Sequence, residues 1–237
     1  MNLKISIGKT LDSKKEIFLD LNKDNIHTTI ISGPTGSGKT IFNHNIAEQI
    51  MSNNTPEEVG FIFMDFKRIE FGEYKDSEYL LHPVIYDIQE AIVVLKNLIQ
   101  KSEERYAGID NSKKAIIVQI EECDIVFQAP SLLSEVWTAI DEQSSKNNIY
   151  ILFSTSRPAS SVITPEIIKH SALKGYFIPG DEWYRFYDGE VNDYSSRILG
   201  HSYEGIPKPW TRIFQLKNKK EIICNGFLKN FLLSHKA

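Results

Sequence analysis

The sequence predicts an α/β fold, with a mostly parallel central sheet covered by helices on both faces and a small N-terminal hairpin. Four runs of nearly continuous apolar residues, at Thr28 to Ser32, Phe61 to Met64, Ala115 to Ile120 and Ile149 to Phe153, suit strands buried on both faces. Helical patterns separate these runs, and strands alternating with helices build parallel sheets. A glycine-rich segment follows the first strand directly and opens the first helix.

Taken in order, Leu3, Ile5 and Ile7 alternate with polar residues, and Ile17 to Leu21 alternates again after the polar turn Asp12 to Lys15. This predicts a hairpin within residues 1–24, leading into a core over residues 25–237. The helix after Thr28 to Ser32 carries Ile41, Phe42, Ile46, Ile50 and Met51 on its apolar face. Val84 to Tyr86 reads as a short strand before a helix from Ile88 to Arg105, with a stripe of Ile92, Val93, Leu95, Leu98 and Ile99. A helix over Leu132 to Gln143 precedes the fourth buried strand. Tyr176 to Ile178, Thr211 to Leu216 and Glu221 to Cys224 read as further strands. The last two are expected to pair across Lys217 to Lys220 as a hairpin at the sheet edge. No repeat or linker interrupts the chain, so one domain over 1–237 is the expectation.

With 237 residues, 41% of them hydrophobic, the chain can bury a core of ordinary size. The net charge of −4 excludes a globally basic protein that coats nucleic acid, while leaving room for a local basic surface. Cys123 and Cys224 have no metal-ligand spacing and read as packing residues in a reducing, cytoplasmic setting. No apolar run approaches the roughly 18 residues of a spanning helix, so no membrane contact by this chain is expected.

Gly33, Pro34, Thr35, Gly36, Ser37, Gly38, Lys39 and Thr40 fit the pattern G-x-x-x-x-G-K-[ST]. Glycines let backbone N–H groups wrap a phosphate, and the following helix presents its positive end. Lys39 reaches the β and γ phosphates and Thr40 ligates Mg²⁺, so ATP with Mg²⁺ is the expected ligand. Glu121 and Glu122 end the strand Ala115 to Ile120, where one carboxylate can hold the Mg²⁺ shell and another can polarise water. Thr155 and Ser156 end the strand Ile149 to Phe153, where polar residues can sense the γ-phosphate.

With these residues in place, the chain resembles the FtsK/SpoIIIE family of DNA-translocating ATPases. The likeness is carried by His27, the loop Gly33 to Thr40, Pro56-Glu57-Glu58-Val59 and Asp65-Phe66-Lys67-Arg68-Ile69-Glu70. It continues through Leu80-Leu81-His82-Pro83-Val84 with Asp87, Glu104-Arg105-Tyr106, Glu121-Glu122, Thr155-Ser156-Arg157-Pro158, Val162-Ile163-Thr164 and Leu199-Gly200. The resemblance implies a RecA-like P-loop domain that assembles as a homo-oligomer, a hexameric ring around double-stranded DNA. It implies Lys39 as the phosphate lysine, Thr40 as Mg²⁺ ligand, Glu121 as metal-side acid and Glu122 as catalytic base. It also implies service in DNA segregation or conjugative transfer, alongside protein partners of such a machine. The region Trp210 to Leu228 looks more like the conjugative coupling branch. Lys67, Arg68, Lys75, Lys169 and Lys174 are the candidate DNA contacts.

Three departures predict reduced turnover. Glu121 stands where the family has Asp, which moves the carboxylate by roughly 1.5 Å. Ser156 stands where the family has Gln, and Ser144-Ser145-Lys146-Asn147-Asn148 replaces a stretch with an arginine. A second expectation, from a different class, is a weakly hydrolysing nucleotide-binding module that binds proteins through Trp183, Tyr184, Phe186, Tyr187, Tyr194, Tyr203 and Trp210. A third, a type VII secretion-like ATPase that engages a peptide, ranks lower because D-x-K-R-x-E resembles the DNA-moving branch.

Overall fold

The computed structural model describes residues 1–122, 129–156, 163–178, 211–218 and 220–225. Cys123, Arg157, Pro158, Val162, Leu199, Gly200, the aromatic residues from Trp183 to Trp210 and the stretch beyond Asn225 lie outside them. The strands are β1 (Lys4–Lys9), β2 (Glu16–Asp20), β3 (Thr28–Ser32), β4 (Val59–Asp65), β5 (Ala115–Glu121), β6 (Ile149–Thr155), β7 (Leu173–Phe177), β8 (Thr211–Leu216) and β9 (Glu221–Asn225). They form one sheet in the order β2-β1-β9-β8-β7-β3-β6-β5-β4. From β7 to β4 every pairing is parallel, and from β2 to β7 every pairing is antiparallel.

The buried runs divide between two cores because successive strand residues point to opposite faces. In β4, Phe61 and Phe63 face one core while Ile62 and Met64 face the other; in β6, Tyr150 and Leu152 oppose Ile149, Ile151 and Phe153. Helix α1 (Lys39–Asn53) covers the first face with Phe42, Ile46, Ala47 and Ile50. Helices α2 (Ile88–Tyr106) and α3 (Pro130–Glu142) cover the second and pack on each other. Trp137 of α3 is fully buried and donates its indole N–H to Ser171 Oγ at 3.0 Å.

Three expectations are corrected. The buried face of α2 runs through Ala91, Val94, Leu95, Leu98, Ser102 and Arg105, and Val93 is 57% exposed. A 3.6-residue period through Leu95 and Leu98 selects position 94, not 93. Val84 to Tyr86 is no strand: residues 79–85 lie along the outer edge of β4 as a strap, bridging it in parallel only at Phe61↔Leu80 and Met64↔Ile85. Pro83 has no N–H to continue a ladder, yet the strap covers an edge that would otherwise be open. The hairpin β8-β9 is internal, since β8 pairs with β7 and β9 pairs with β1. The N-terminal hairpin therefore extends the sheet and supplies its far edge strand, β2.

Candidate nucleotide-binding site

The phosphate loop leaves β3 at the carboxyl end of the parallel block, and its shape depends on glycine. Gly36 and Gly38 adopt φ of 79° and 87°, left-handed values that cost a side-chain-bearing residue energy. At Gly33 a Cβ would lie 2.4 Å from the Phe177 carbonyl oxygen and 2.7 Å from Ser37 Oγ, so only glycine lets β7 and the loop approach. Gly38 caps α1 without a side-chain hydrogen bond, and the first turn holds no acidic residue. The N–H groups that begin the helix are thus left for an external anion.

Lys39 is 6% exposed, and its Nζ donates to the carbonyl oxygens of Gly33 at 2.8 Å and Pro34 at 3.2 Å. Burial lowers its pKa below the usual lysine range, against the pull of Glu122 and Glu121. Across from it, Glu121 ends β5 at 4% exposure. Thr40 Oγ1 donates to Glu121 Oε1 at 3.1 Å, while Asn43 Nδ2 and Ser154 Oγ donate to Oε2. Burial raises the Glu121 pKa, partly offset by the Ser154 hydrogen bond and by Lys39.

Glu122, the next residue, has a left-handed backbone, with φ 48°, and its charge also acts on Lys39. Its N–H donates to the Ser154 carbonyl at 3.0 Å, and its Oε1 accepts from the Ser156 N–H at 2.9 Å. Lys67 Nζ stands 4.0 Å from the same oxygen. Thr155 is buried, and its carbonyl accepts from the Gly33 N–H at 3.3 Å. The structure therefore brings Lys39, Thr40, Glu121, Glu122, Thr155 and Ser156 to one end of the sheet.

The turn after β4 adds a side chain that sequence patterns alone did not assign. Asp65 is fully buried, and its Oδ2 accepts from the N–H groups of Glu70 at 2.8 Å and Phe71 at 3.1 Å. This ties down Glu70, whose pKa is raised by burial and by Asp65 and drawn back by Lys67 and the nearby Thr40 hydroxyl. A cleft of about 340 Å³ opens beside the loop, lined by Thr40, His44, Arg68, Glu70 and Glu73 among others. Asn43 and Ser154 were also missed. Asn43 lies three residues after Thr40 on a helix that starts at the loop, a spacing that puts both on one face.

The candidate DNA contacts do not gather in one place. Lys67 and Arg68 are exposed on the turn beside the loop, and the Arg68 guanidinium lies 5.2 Å from the Tyr86 ring centre. Lys75 is exposed after the short 3-10 helix Phe71–Tyr74. Lys169 ends the short helix Pro165–Lys169, next to His170, whose carbonyl accepts from Thr28 at the start of β3, the far end of the sheet. Lys174 lies within β7 beside Ile30. Lys146, before β6, is also at that far end, with Nζ 5.3 Å from the Tyr106 ring centre.

The residues present fit Mg²⁺ and a triphosphate on several grounds. Lys39 bonds only loop carbonyls that a phosphate can replace, Ser37 Oγ is buried in the loop without a hydrogen-bond partner, and Thr40 stands between two carboxylates. Among the described residues, no group of three or more His, Cys, Asp or Glu side chains forms a metal site by itself. Also among the described residues, no helix is long and apolar enough to cross a membrane.

The sequence profile of the FtsK/SpoIIIE family matches residues 1–128, more than half of the chain. The chain belongs to the FtsK/SpoIIIE family. Its relatives include the DNA translocase FtsK of Leptospira interrogans, 32% identical over an alignment of 187 positions that covers 69% of this chain and 19% of that protein. Another is the DNA translocase SpoIIIE of Bacillus subtilis, 26% identical over an alignment of 188 positions that covers 68% of this chain and 24% of that one. This FtsK/SpoIIIE chain thus spans about a fifth to a quarter of the length of these curated relatives. Two solved structures share its fold. The pCW3 conjugation coupling protein TcpA, solved with ATPγS, superposes with a TM-score of 0.66 at 18% identity, over 96% of this chain and 66% of that one. The cytoplasmic domain of the type VII secretion ATPase EccC from Thermomonospora curvata gives 0.71 at 14% identity, over 94% of this chain and 28% of that one. The α/β fold expected from the sequence is that of P-loop ATPases.

Proposed function

We propose that the chain is an ATP-binding motor domain of the DNA-translocase type, one that engages double-stranded DNA and turns over ATP slowly or conditionally. The observation that carries this reading is the convergence of Lys39, Thr40 and Glu121 at the carboxyl end of the parallel strands. Family membership supports DNA as the substrate class. In this reading Lys39 exchanges the carbonyls of Gly33 and Pro34 for phosphate oxygens, and the free N–H groups at the start of α1 bind the phosphate chain. Thr40 and Glu121 would hold Mg²⁺, which supplies charge neutralisation at the phosphate oxygens. Glu122 accepts the proton of the attacking water, with the Ser156 N–H fixing its carboxylate. Lys67 competes with that water for Glu122 Oε1. A DNA phosphate that draws Lys67 away would free the carboxylate, which makes turnover conditional on the polymer. Assembly as a ring of identical subunits belongs to the same proposal, as does service in DNA segregation or conjugative transfer.

ATP turnover measured with and without double-stranded DNA tests the proposal. DNA is expected to stimulate the wild type, and Lys39→Ala to remove nucleotide binding and, with it, turnover. Equal rates in the wild type and Lys39→Ala would sink the reading. Stimulation by a peptide in place of DNA would redirect it to a secretion-type motor.

A further inference from the structure

Glu121 is held by donors from two other elements, and they divide its carboxylate unequally. Oε1 receives the Thr40 hydroxyl alone, at 3.1 Å. Oε2 receives both Asn43 Nδ2, at 2.5 Å, and Ser154 Oγ. Asn43 Nδ2 lies 3.0 Å from Ser154 Oγ as well, so amide, hydroxyl and carboxylate oxygen close a triangle. Asn43 and Ser154 are completely buried, and the backbone behind them is tied, since Gln119 Nε2 donates to the Asn43 carbonyl at 3.1 Å.

Apolar side chains would fill this space without the desolvation cost of buried polar groups. That cost is visible here, because Asn43 Oδ1 is buried without a hydrogen-bond partner. What the polar groups provide is orientation. A glutamate side chain has three rotatable bonds, and holding it in one orientation costs conformational entropy. Two donors on Oε2 fix the carboxylate plane and leave Oε1 beside the one hydroxyl that the phosphate loop turns toward it.

We infer that Asn43 and Ser154 are positioning residues that grip Glu121 by Oε2, so that Oε1 and Thr40 Oγ1 are presented together to the Mg²⁺ of a bound nucleotide. This rests on the reading of the site proposed above. Hydrogen bonds to a metal-binding carboxylate typically change metal affinity about 10- to 100-fold.

Two titrations separate positioning from packing. The first measures binding of a fluorescent ATP analogue in EDTA, and the second measures Mn²⁺ affinity of the nucleotide complex by electron paramagnetic resonance. Ser154→Ala and Asn43→Leu are expected to keep metal-free nucleotide affinity within about twofold while weakening Mn²⁺ about tenfold or more. Ser154→Thr keeps the hydroxyl and is expected to hold Mn²⁺ close to the wild-type level. Should Asn43→Leu fail to fold, the Ser154 pair carries the comparison. Lower thermal stability with unchanged Mn²⁺ affinity would overturn the grip and leave the site reading intact. Failure of the wild-type nucleotide complex to bind Mn²⁺ would overturn the site reading and the grip together.

Discussion

Lys39 directs its ammonium group to two carbonyls of its own loop, which keeps a buried charge hydrogen-bonded until a phosphate replaces them. Glu122 shows a different economy of design at its backbone. Its backbone is left-handed, a conformation strained by about 1 kcal/mol or more, and its carboxylate accepts from the Ser156 N–H, whereas that of Glu121 accepts from Thr40, Asn43 and Ser154. The two adjacent glutamates therefore occupy different environments. Glu122→Gln keeps the shape and removes the base. It is expected to retain ATP binding and to lower turnover by about 10²- to 10⁴-fold, as read from paired binding and hydrolysis assays. Glu121 bears on stability, because burial raises its folded pKa above the unfolded value of about 4.3. Between those two pKa values the folded state binds more protons, so stability is highest in acid and falls as pH rises through the folded pKa. Glu121→Gln removes that titration. Thermal melts without nucleotide or metal are expected to lose this downward slope above about pH 4, with the variant more stable than the wild type at neutral pH.

The two long helices α1 and α2 are each fixed by a local signal and a tertiary one. Helix α2 begins at Asp87, whose carboxylate accepts from the N–H groups of Gln89 and Glu90 at 2.9 and 3.0 Å. Asp87→Ala is expected to cost about 1 kcal/mol, measurable as a shift in the urea midpoint at unchanged slope. The approximate span of this helix was legible in the sequence; its buried face was read one residue off, at Val93 instead of Val94. The reason is physical, since Ile92 and Val93 are apolar residues that the neighbouring helix does not cover completely. Helix α1 behaves differently. Its apolar positions were legible, whereas the role of Asn43 was not, because an asparagine in a helix carries no signal until β5 and β6 place Glu121 and Ser154 against it. The same holds for the segment 79–85, whose strap along β4 depends on an edge that no local pattern announces.

At the scale of the whole molecule, the parallel block that holds the phosphate loop meets the antiparallel flank at β7 and β8, and Arg212 secures that junction. Its guanidinium is 4% exposed, lies 5.2 Å from the Phe42 ring centre and 4.7 Å from that of Phe177, and donates to the Ile7 carbonyl at 3.2 Å. Burial lowers its pKa to about 10, so it remains charged at neutral pH. The arginine thereby links β1, α1, β7 and β8. Arg212→Ala is expected to cost on the order of 2 kcal/mol or more, from the loss of desolvated cation–π contacts. Denaturant unfolding would record this, and a loss within about 0.5 kcal/mol would contradict the assignment. The sequence by itself determined the buried strands, the phosphate loop and the position of the acidic pair, because apolar runs, glycines and charged strand ends are local properties that persist in any packing. Only the tertiary structure decided that the two hairpins join one sheet with the parallel strands, that Glu121 and Glu122 take different hydrogen-bond partners, and that Asn43, Glu70 and Ser154 reach the site. Those outcomes depend on strand order and on which side chains meet across it, and residues up to 111 positions apart, such as Asn43 and Ser154, have no local means of specifying their contact.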